Sequence, residues 1–216
     1  VGLGAAIYLS EMAPRRWEPL LSRTVELLAA IPSVVYGLLG ALILVPLLRN
    51  HVQPLLALTS LPLFTGPALG VGFLAASLIL AIMILPILIS LSRDALRLVP
   101  PHQREAALGL GATEAESILL VVLPNARRGV TGAVFLALAR ALGETMAVTM
   151  VIGNSPTLSI SLLSPGYTIA AVLANEFTEA SSALHLASLS QLAFILLALS
   201  LALQLIARQI QRGDAP

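Results

Sequence analysis

Four long stretches of this sequence are nearly free of charge: residues 27–48, 69–92, 129–152 and 186–207. A hydrocarbon core about 30 Å thick is crossed by about 20 mainly apolar residues in helical form, so each stretch is long enough to span a bilayer. Arg23, Glu26 and Arg49 bracket the first, Arg93 closes the second and Arg208 the fourth, while the third carries Arg140 and Glu144 within it. Val1 to Ser10 is equally apolar but too short to cross, and it is expected to be the trailing end of a helix whose start lies outside this chain. Of the residues, 57% are hydrophobic and only 11% charged, against roughly 25% charged in soluble domains. That balance excludes a soluble globular domain, a disordered chain and a basic nucleic-acid-binding face. The expected fold class is all-α: an integral membrane helical bundle in contact with lipid, with four complete spans and part of a fifth, and with no nucleic acid partner.

Apart from three histidines, every basic residue is an arginine, and arginine asymmetry across the membrane sets the orientation. With residues 11–26, 93–128 and 208–216 on the inner side, Arg15, Arg16, Arg23, Arg93, Arg97, Arg104, Arg127, Arg128, Arg208 and Arg212 all lie inside. Only Arg49 then falls outside, and the long 153–185 segment has Glu176 and Glu179 but no arginine. Residues 50–68 are rich in breakers, which predicts an ordered outer loop. The 153–185 segment opens on Gly153-Asn154-Ser155-Pro156, turns at Pro165-Gly166 and shows helical spacing from Thr168 to Ala180, so a short outer helix is expected there. Trp17, between Arg16 and Glu18, predicts an amphipathic elbow on the inner membrane surface. Pro32, Pro46 and Pro86 fall near the ends of their spans, where neighbouring helices can re-satisfy the backbone.

Residues able to do chemistry are few. Cysteine is absent and His51, His102 and His185 stand far apart, so no metal site or cofactor is expected. No catalytic nucleophile, general base or glycine-rich nucleotide loop is present, and the chain is not expected to be an enzyme.

The inner segment 99–125 has a pattern of its own. Glu105-Ala106-Ala107-Leu108-Gly109-Leu110-Gly111-Ala112-Thr113 precedes Glu114 to Leu123 and Pro124. Two short helices meeting at Gly111 account for it, because glycine permits the reversal. Thr113 can cap the second helix, Glu114 and Glu116 suit its first turn, and Pro124 is expected to stop it. A solvated connector and a docking element both fit; the many Ala and Leu residues favour docking.

These residues also carry a resemblance. Glu105-Ala106-Ala107, Gly111, Val121 and Leu123-Pro124, at the spacings they hold here, resemble the EAA signature of bacterial ABC importer permeases, with Val121 where Ile is usual. The resemblance implies that 99–125 is a coupling loop. In it Glu105, Ala106, Ala107, Gly111, Leu123 and Pro124 would engage an ATPase subunit whose closure rocks the spans between inward-open and outward-open states. Ile31-Pro32-Ser33-Val34-Val35-Tyr36-Gly37-Leu38, Arg140 to Val148, Val151-Ile152-Gly153-Asn154 and Ala174-Asn175-Glu176-Phe177 resemble the phosphate importer permeases. The ending Glu144-Thr145-Met146-Ala147-Val148 is similar to the PstC type, since the sister PstA type usually continues Glu-Thr-Ala-Pro. Similarity runs from Gly2 to Tyr8 and onward over nearly the whole chain. It implies that residues 1–216 are a permease domain without the first and most of the second of six helices, in a bacterial cytoplasmic (inner) membrane. The implied partners are a second, PstA-like permease, PstB-like ATPase subunits and a PstS-like periplasmic phosphate-binding protein.

Arg140 and Glu144 are the only charges inside a complete span, where each costs about 2.5–3.5 kcal/mol or more. Their spacing would put them on one helix face. They could be a self-neutralising pair that fixes packing. Alternatively, Arg140 offers its planar guanidinium to phosphate oxygens while Glu144 holds it in place or carries a proton. The resemblance places both on the phosphate path. Thr145 and Thr149 could add hydroxyl donors, although threonine often bonds back to its own helix. Ser33 and Tyr36 are candidates for the inner mouth of the path, and Asn175 and Glu176 for contact with a binding protein or for a helix cap. Competing functions are a permease for molybdate or sulfate, and an ion-coupled secondary transporter or channel in which Glu144 titrates.

Overall fold

The computed structural model describes residues 1–58 and 61–213, the side chains of residues 57 and 211–213 excepted. The side chain of Arg212 and residues 59 and 60, within the segment expected to be the first outer loop, therefore lie outside the described residues. The elements are α1 (Gly2–Ile7), α2 (Glu18–Ala29), α3 (Ser33–Leu56), α4 (Phe73–Arg97), α5 (Pro101–Gly109), α6 (Glu114–Leu142), α7 (Met146–Ile152), α8 (Ile169–Glu176) and α9 (Ala183–Gly213). Four of them, α3, α4, α6 and α9, are long and apolar enough to cross a membrane, and the chain is a multi-pass membrane protein.

Span limits differ from expectation, and prolines explain why. The first span begins at Ser33, because Pro32 sits in an extended conformation at ψ 138° and keeps Ile31 from helical geometry. Residues 18–29 form the separate helix α2, with the exposed Trp17 at its N-terminal cap. Downstream, α3 runs through Pro46 and Pro54 to Leu56, beyond Arg49 and His51 and well into the expected loop. Likewise α6 runs through Pro124, which does not stop the helix. One device serves each of these prolines. A π-helical turn (Gly40–Leu44, Leu48–Val52, Ile118–Val122) ends two residues before the proline, and the intervening residue donates its N–H five residues back. Such a widened turn accommodates a residue that lacks an N–H and whose ring crowds the preceding carbonyls. Beside Pro124, the Asn125 side-chain amide donates to the Val121 carbonyl at 2.8 Å. The same turn at Tyr8–Met12 extends α1 and places Glu11.

The chain forms two compact units. One comprises Val1–Ala30, Ile84–Ala139 and Ala202–Pro216. Its core holds Ala6, Leu96, Val99, Val122 and Ala126, with Ile7, Leu123 and Val130 packed against it. Small residues let helices approach closely, as in membrane bundles generally: a Cβ on Gly129 of α6 would sit 2.5 Å from the Ala95 Cβ of α4. The other unit comprises Ile31–Met83 and Arg140–Leu201. Here α7 packs on the first turns of α3, where a Cβ on Gly37 would lie 2.9 Å from the Ala147 Cα. Ala147, Val148, Val151 and Ile152 are buried.

The end of α7 closes this second unit. Its Thr149 carbonyl accepts from the Asn154 side-chain amide at 3.0 Å. The Val151 carbonyl accepts from Gly72 N–H at 3.0 Å and that of Ile152 from Gly166 N–H at 3.1 Å. Gly153 turns the chain at φ 91°. These bonds answer carbonyls that a helix end leaves open, and they fold the 153–168 segment against the start of α4. Of the stretch from Thr168 to Ala180 where a helix was expected, Ile169–Glu176 forms α8, with Thr168 Oγ1 accepting from Ala171 N–H at 3.2 Å.

Candidate functional site

The 99–125 segment folds as two helices about Gly111. Pro101 opens α5, a position where its missing N–H is harmless. The helix ends in a reversed turn in which Gly111 N–H donates to the Leu108 carbonyl at 3.0 Å and Ala112 N–H to that of Ala107 at 3.1 Å. Gly111 itself stands at φ +92°, the left-handed region of a helix C-terminal cap. Thr113 then starts α6 with a reciprocal cap: its Oγ1 accepts from Glu116 N–H at 3.3 Å, and the Glu116 carboxylate accepts from Thr113 N–H at 2.8 Å. Such a cap is worth about 0.5–2 kcal/mol. Between the two helices lies a cleft of about 620 Å³, lined by Ala106, Ala107, Leu110, Gly111, Leu120 and Val121 among others. Glu105 and Ala106 are exposed, Ala107 half-buried, and Leu110 presents 90% of its surface. Leu123 packs on the core and Pro124 is exposed.

Behind this surface stands a ladder of ion pairs that no local sequence pattern announces. Arg104, one residue before the Glu105-Ala106-Ala107 triplet, bonds Glu11 through Nε at 3.1 Å and Nη2 at 3.0 Å. Arg97 bonds Glu18. Arg93, only 8% exposed at its side chain, reaches Glu26 at 3.1 Å and Asp94 at 2.8 Å. Ascending glutamates 11, 18 and 26 meet descending arginines 104, 97 and 93, so the N-terminal residues lie antiparallel to the end of α4 and the start of α5. The Arg97 hydrogen bond, helped by the Ser22 hydroxyl, holds the Glu18 carboxyl below its ordinary pKa of 4.5. That tie is complete above pH 4.5 and is lost as pH falls through the lowered value.

The second group of candidate residues surrounds a break. Where one span over 129–152 was expected, α6 ends at Leu142, and Gly143 to Thr145 lead into α7. Arg140 and Glu144 are therefore not on one helix face, and among the described residues no ion pair or hydrogen bond joins them. Arg140 lies exposed in the last turn of α6, where the helix dipole favours a cation. Glu144, half-buried, turns to α7 instead and accepts the Ala147 N–H at 3.3 Å. The two threonines bond to backbone: Thr149 Oγ1 donates to the Thr145 carbonyl at 2.8 Å and Thr145 Oγ1 to that of Gly143 at 3.3 Å. Across from α7, Ser33 is half-buried at the start of α3 and Tyr36 is buried. The packing of Gly37 on Ala147 thus brings the Pro32-Ser33 and Glu144-Thr145-Met146 segments into one neighbourhood. Glu176 meets His185 at 3.2 Å rather than capping α8, and Asn175 is half-buried.

A family model described as "Binding-protein-dependent transport system inner membrane component" matches residues 2–213. The phosphate transport system permease protein PstC of Mesorhizobium japonicum is 46% identical over 222 residues, covering 100% of this chain and 68% of its own length. The protein of the same name from Haemophilus influenzae is 44% identical over 214 residues, or 96% of this chain and 68% of its own. A probable PstC of Methanocaldococcus jannaschii is 39% identical over 178 residues, covering 81% of this chain and 56% of its own length. An inward-facing structure of the MetNI methionine ABC transporter superposes with a TM-score of 0.74 at 18% identity, over 100% of this chain and 87% of that one, a likeness in fold. With a helix pair that bears Glu105-Ala106-Ala107 and a family match along almost its whole length, the chain belongs to the binding-protein-dependent transport system inner membrane components, the family of its PstC relatives.

Proposed function

We propose that this chain is the membrane-spanning permease subunit of an ATP-driven phosphate importer. The reading rests on whole-chain similarity to proteins named phosphate permeases. Two structural features support it. A capped, glycine-hinged helix pair bears the Glu105-Ala106-Ala107 triplet beside an open cleft, which suits docking of a motor subunit. A broken helix carries Arg140 at one end, the arrangement in which transporters hold ions at mid-membrane.

The Arg140 guanidinium is not engaged by Glu144 and can present two parallel N–H donors to phosphate oxygens. Thr145 and Thr149 have their hydroxyl protons committed to carbonyls, so toward a protonated phosphate they act as acceptors. Ser33, at the first turn of α3, can donate or accept. Glu144 anchors the start of α7 and so fixes where the two threonines stand. In this reading residues 93–128 and the C-terminus face the cytoplasm of a bacterium. The arginines assigned to that side all fall in the unit with the ion-pair ladder, and Arg49 and Arg140 fall in the other. A second permease, two ATPase subunits that supply hydrolysis, and a periplasmic phosphate-binding protein complete the transporter.

A direct test is ATP hydrolysis by the complete transporter in lipid nanodiscs. Adding phosphate-loaded binding protein is expected to raise hydrolysis several-fold, whereas sulfate or molybdate without phosphate leaves it at the basal rate. Stimulation by molybdate or sulfate and not by phosphate would replace the assigned substrate.

A further inference from the structure

A coupling element must be joined firmly to the helices it moves, and here one side chain makes that joint. Arg104 spends its guanidinium in two directions. Two N–H groups grip the Glu11 carboxylate, at 3.1 and 3.0 Å. Nη1 donates to the Val99 carbonyl at 2.7 Å and Nη2 to that of Leu96 at 2.9 Å. Leu96 lies in the last turn of α4, where its carbonyl also accepts the Val99 N–H at 3.2 Å, Val99 follows two residues after the helix ends, and Glu11 lies in the π-helical turn that extends α1. Glu11 is held in turn by the Ser10 hydroxyl at 2.7 Å. The pair is sheltered, with 23% of the Arg104 side chain and 10% of that of Glu11 exposed. Packed close by is the cluster of Ala6, Leu96 and Val99 with Val122 and Ala126. The chain connections of α5 are, on one side, Pro100-Pro101 and, on the other, the turn at Gly111.

We propose that Arg104 and Glu11 are the positioning pair through which displacement of α5 is transmitted to α1 and α4, so that the pair sets how much substrate moves per ATP hydrolysed. The proposal rests on the reading of α5 as the coupling element. Neither residue touches substrate in this account. Its distinctive consequence is a loss of coupling with assembly and hydrolysis retained, whereas a merely structural role would lower the amount of assembled complex and leave the ratio of transport to hydrolysis unchanged.

The experiment measures phosphate uptake and ATP hydrolysis together in proteoliposomes of the complete transporter carrying Arg104→Gln, Arg104→Lys, Glu11→Gln or Arg104→Gln with Glu11→Gln. Hydrolysis is expected to stay within about two-fold of the parent, and uptake per ATP to fall at least ten-fold in Arg104→Gln. Lysine should fall less, since a point charge keeps the Glu11 contact and loses the fork. The double variant should be no worse than the worse single one, because the pair acts as a unit. An unchanged ratio in both glutamine variants, including any that assemble poorly, overturns the proposal, as does a double variant whose loss is the product of the single losses. Gly111→Val in the same assay separates the two readings. If it uncouples and the Arg104 variants do not, only the joint is wrong; if neither does, the coupling assignment of α5 falls.

Discussion

Replacing Arg140 by glutamine is expected to abolish phosphate uptake while the transporter still assembles. Removing one partner of a desolvated, hydrogen-bonded charge pair costs about 2–5 kcal/mol, or roughly 30-fold to several thousand-fold in rate if the contact forms during passage. Arg140→Lys should retain part of the activity, since it keeps the charge and loses the bidentate geometry. The structure sharpens the companion test. Because Glu144 accepts the Ala147 N–H and does not pair with Arg140, neutralising Glu144 cannot compensate for loss of the arginine. The variant combining Arg140→Gln with Glu144→Gln should therefore be as inactive as Arg140→Gln alone. A double variant restored to parental uptake would mean that Arg140 does no more than balance a charge.

Gly111→Val is expected to uncouple ATP hydrolysis from transport. A Cβ at this position would meet nothing within 4 Å, so space is not the obstacle. The difficulty is φ +92°, a conformation that costs an L-residue roughly 1–2 kcal/mol and a β-branched one more. Relief of that strain would undo the two N–H bonds at Leu108 and Ala107 and swing α5 away from α6. Uptake per ATP should fall by about ten-fold or more, since 1.4 kcal/mol is a factor of ten. Gly111→Asn should be milder, because asparagine tolerates the left-handed region. Equal activity of the valine, asparagine and parent proteins would remove the reversal from the mechanism.

Sequence reasoning reached the features that depend on near neighbours. Thr113 stands before a helix with Glu114 and Glu116 in its first turn, and Gly111 stands at a reversal, and each does in the structure what local chemistry demands. The four spans follow from lengths of apolar sequence alone. Proline was misjudged because its effect depends on the turn before it: Pro124 ends a helix only if the preceding ladder stays α, and a π turn at Ile118–Val122 removes the conflict. The break after Leu142 was hidden because Gly143 and Glu144 are compatible with a continuing helix when only hydrophobic length is counted, and the assumed pairing of Arg140 with Glu144 fell with it. Least legible was the ladder. Arg93, Arg97 and Arg104 meet partners 67, 79 and 93 residues away, so no local pattern announces them. The signal was present in Glu11, Glu18 and Glu26, spaced to recur along one helical side and facing a segment rich in arginine.

Uptake of radiolabelled phosphate by the complete transporter in sealed proteoliposomes tests the central claim most directly. Binding protein is supplied on one side, and ATP or ADP on the side that bears α5. Phosphate is expected to accumulate with ATP and not with ADP, to resist a large excess of sulfate or molybdate, and to persist when proton and sodium gradients are collapsed. Accumulation that proceeds with ADP and disappears with the gradients would contradict the account, because an ion-coupled carrier has no use for the capped helix pair at Gly111.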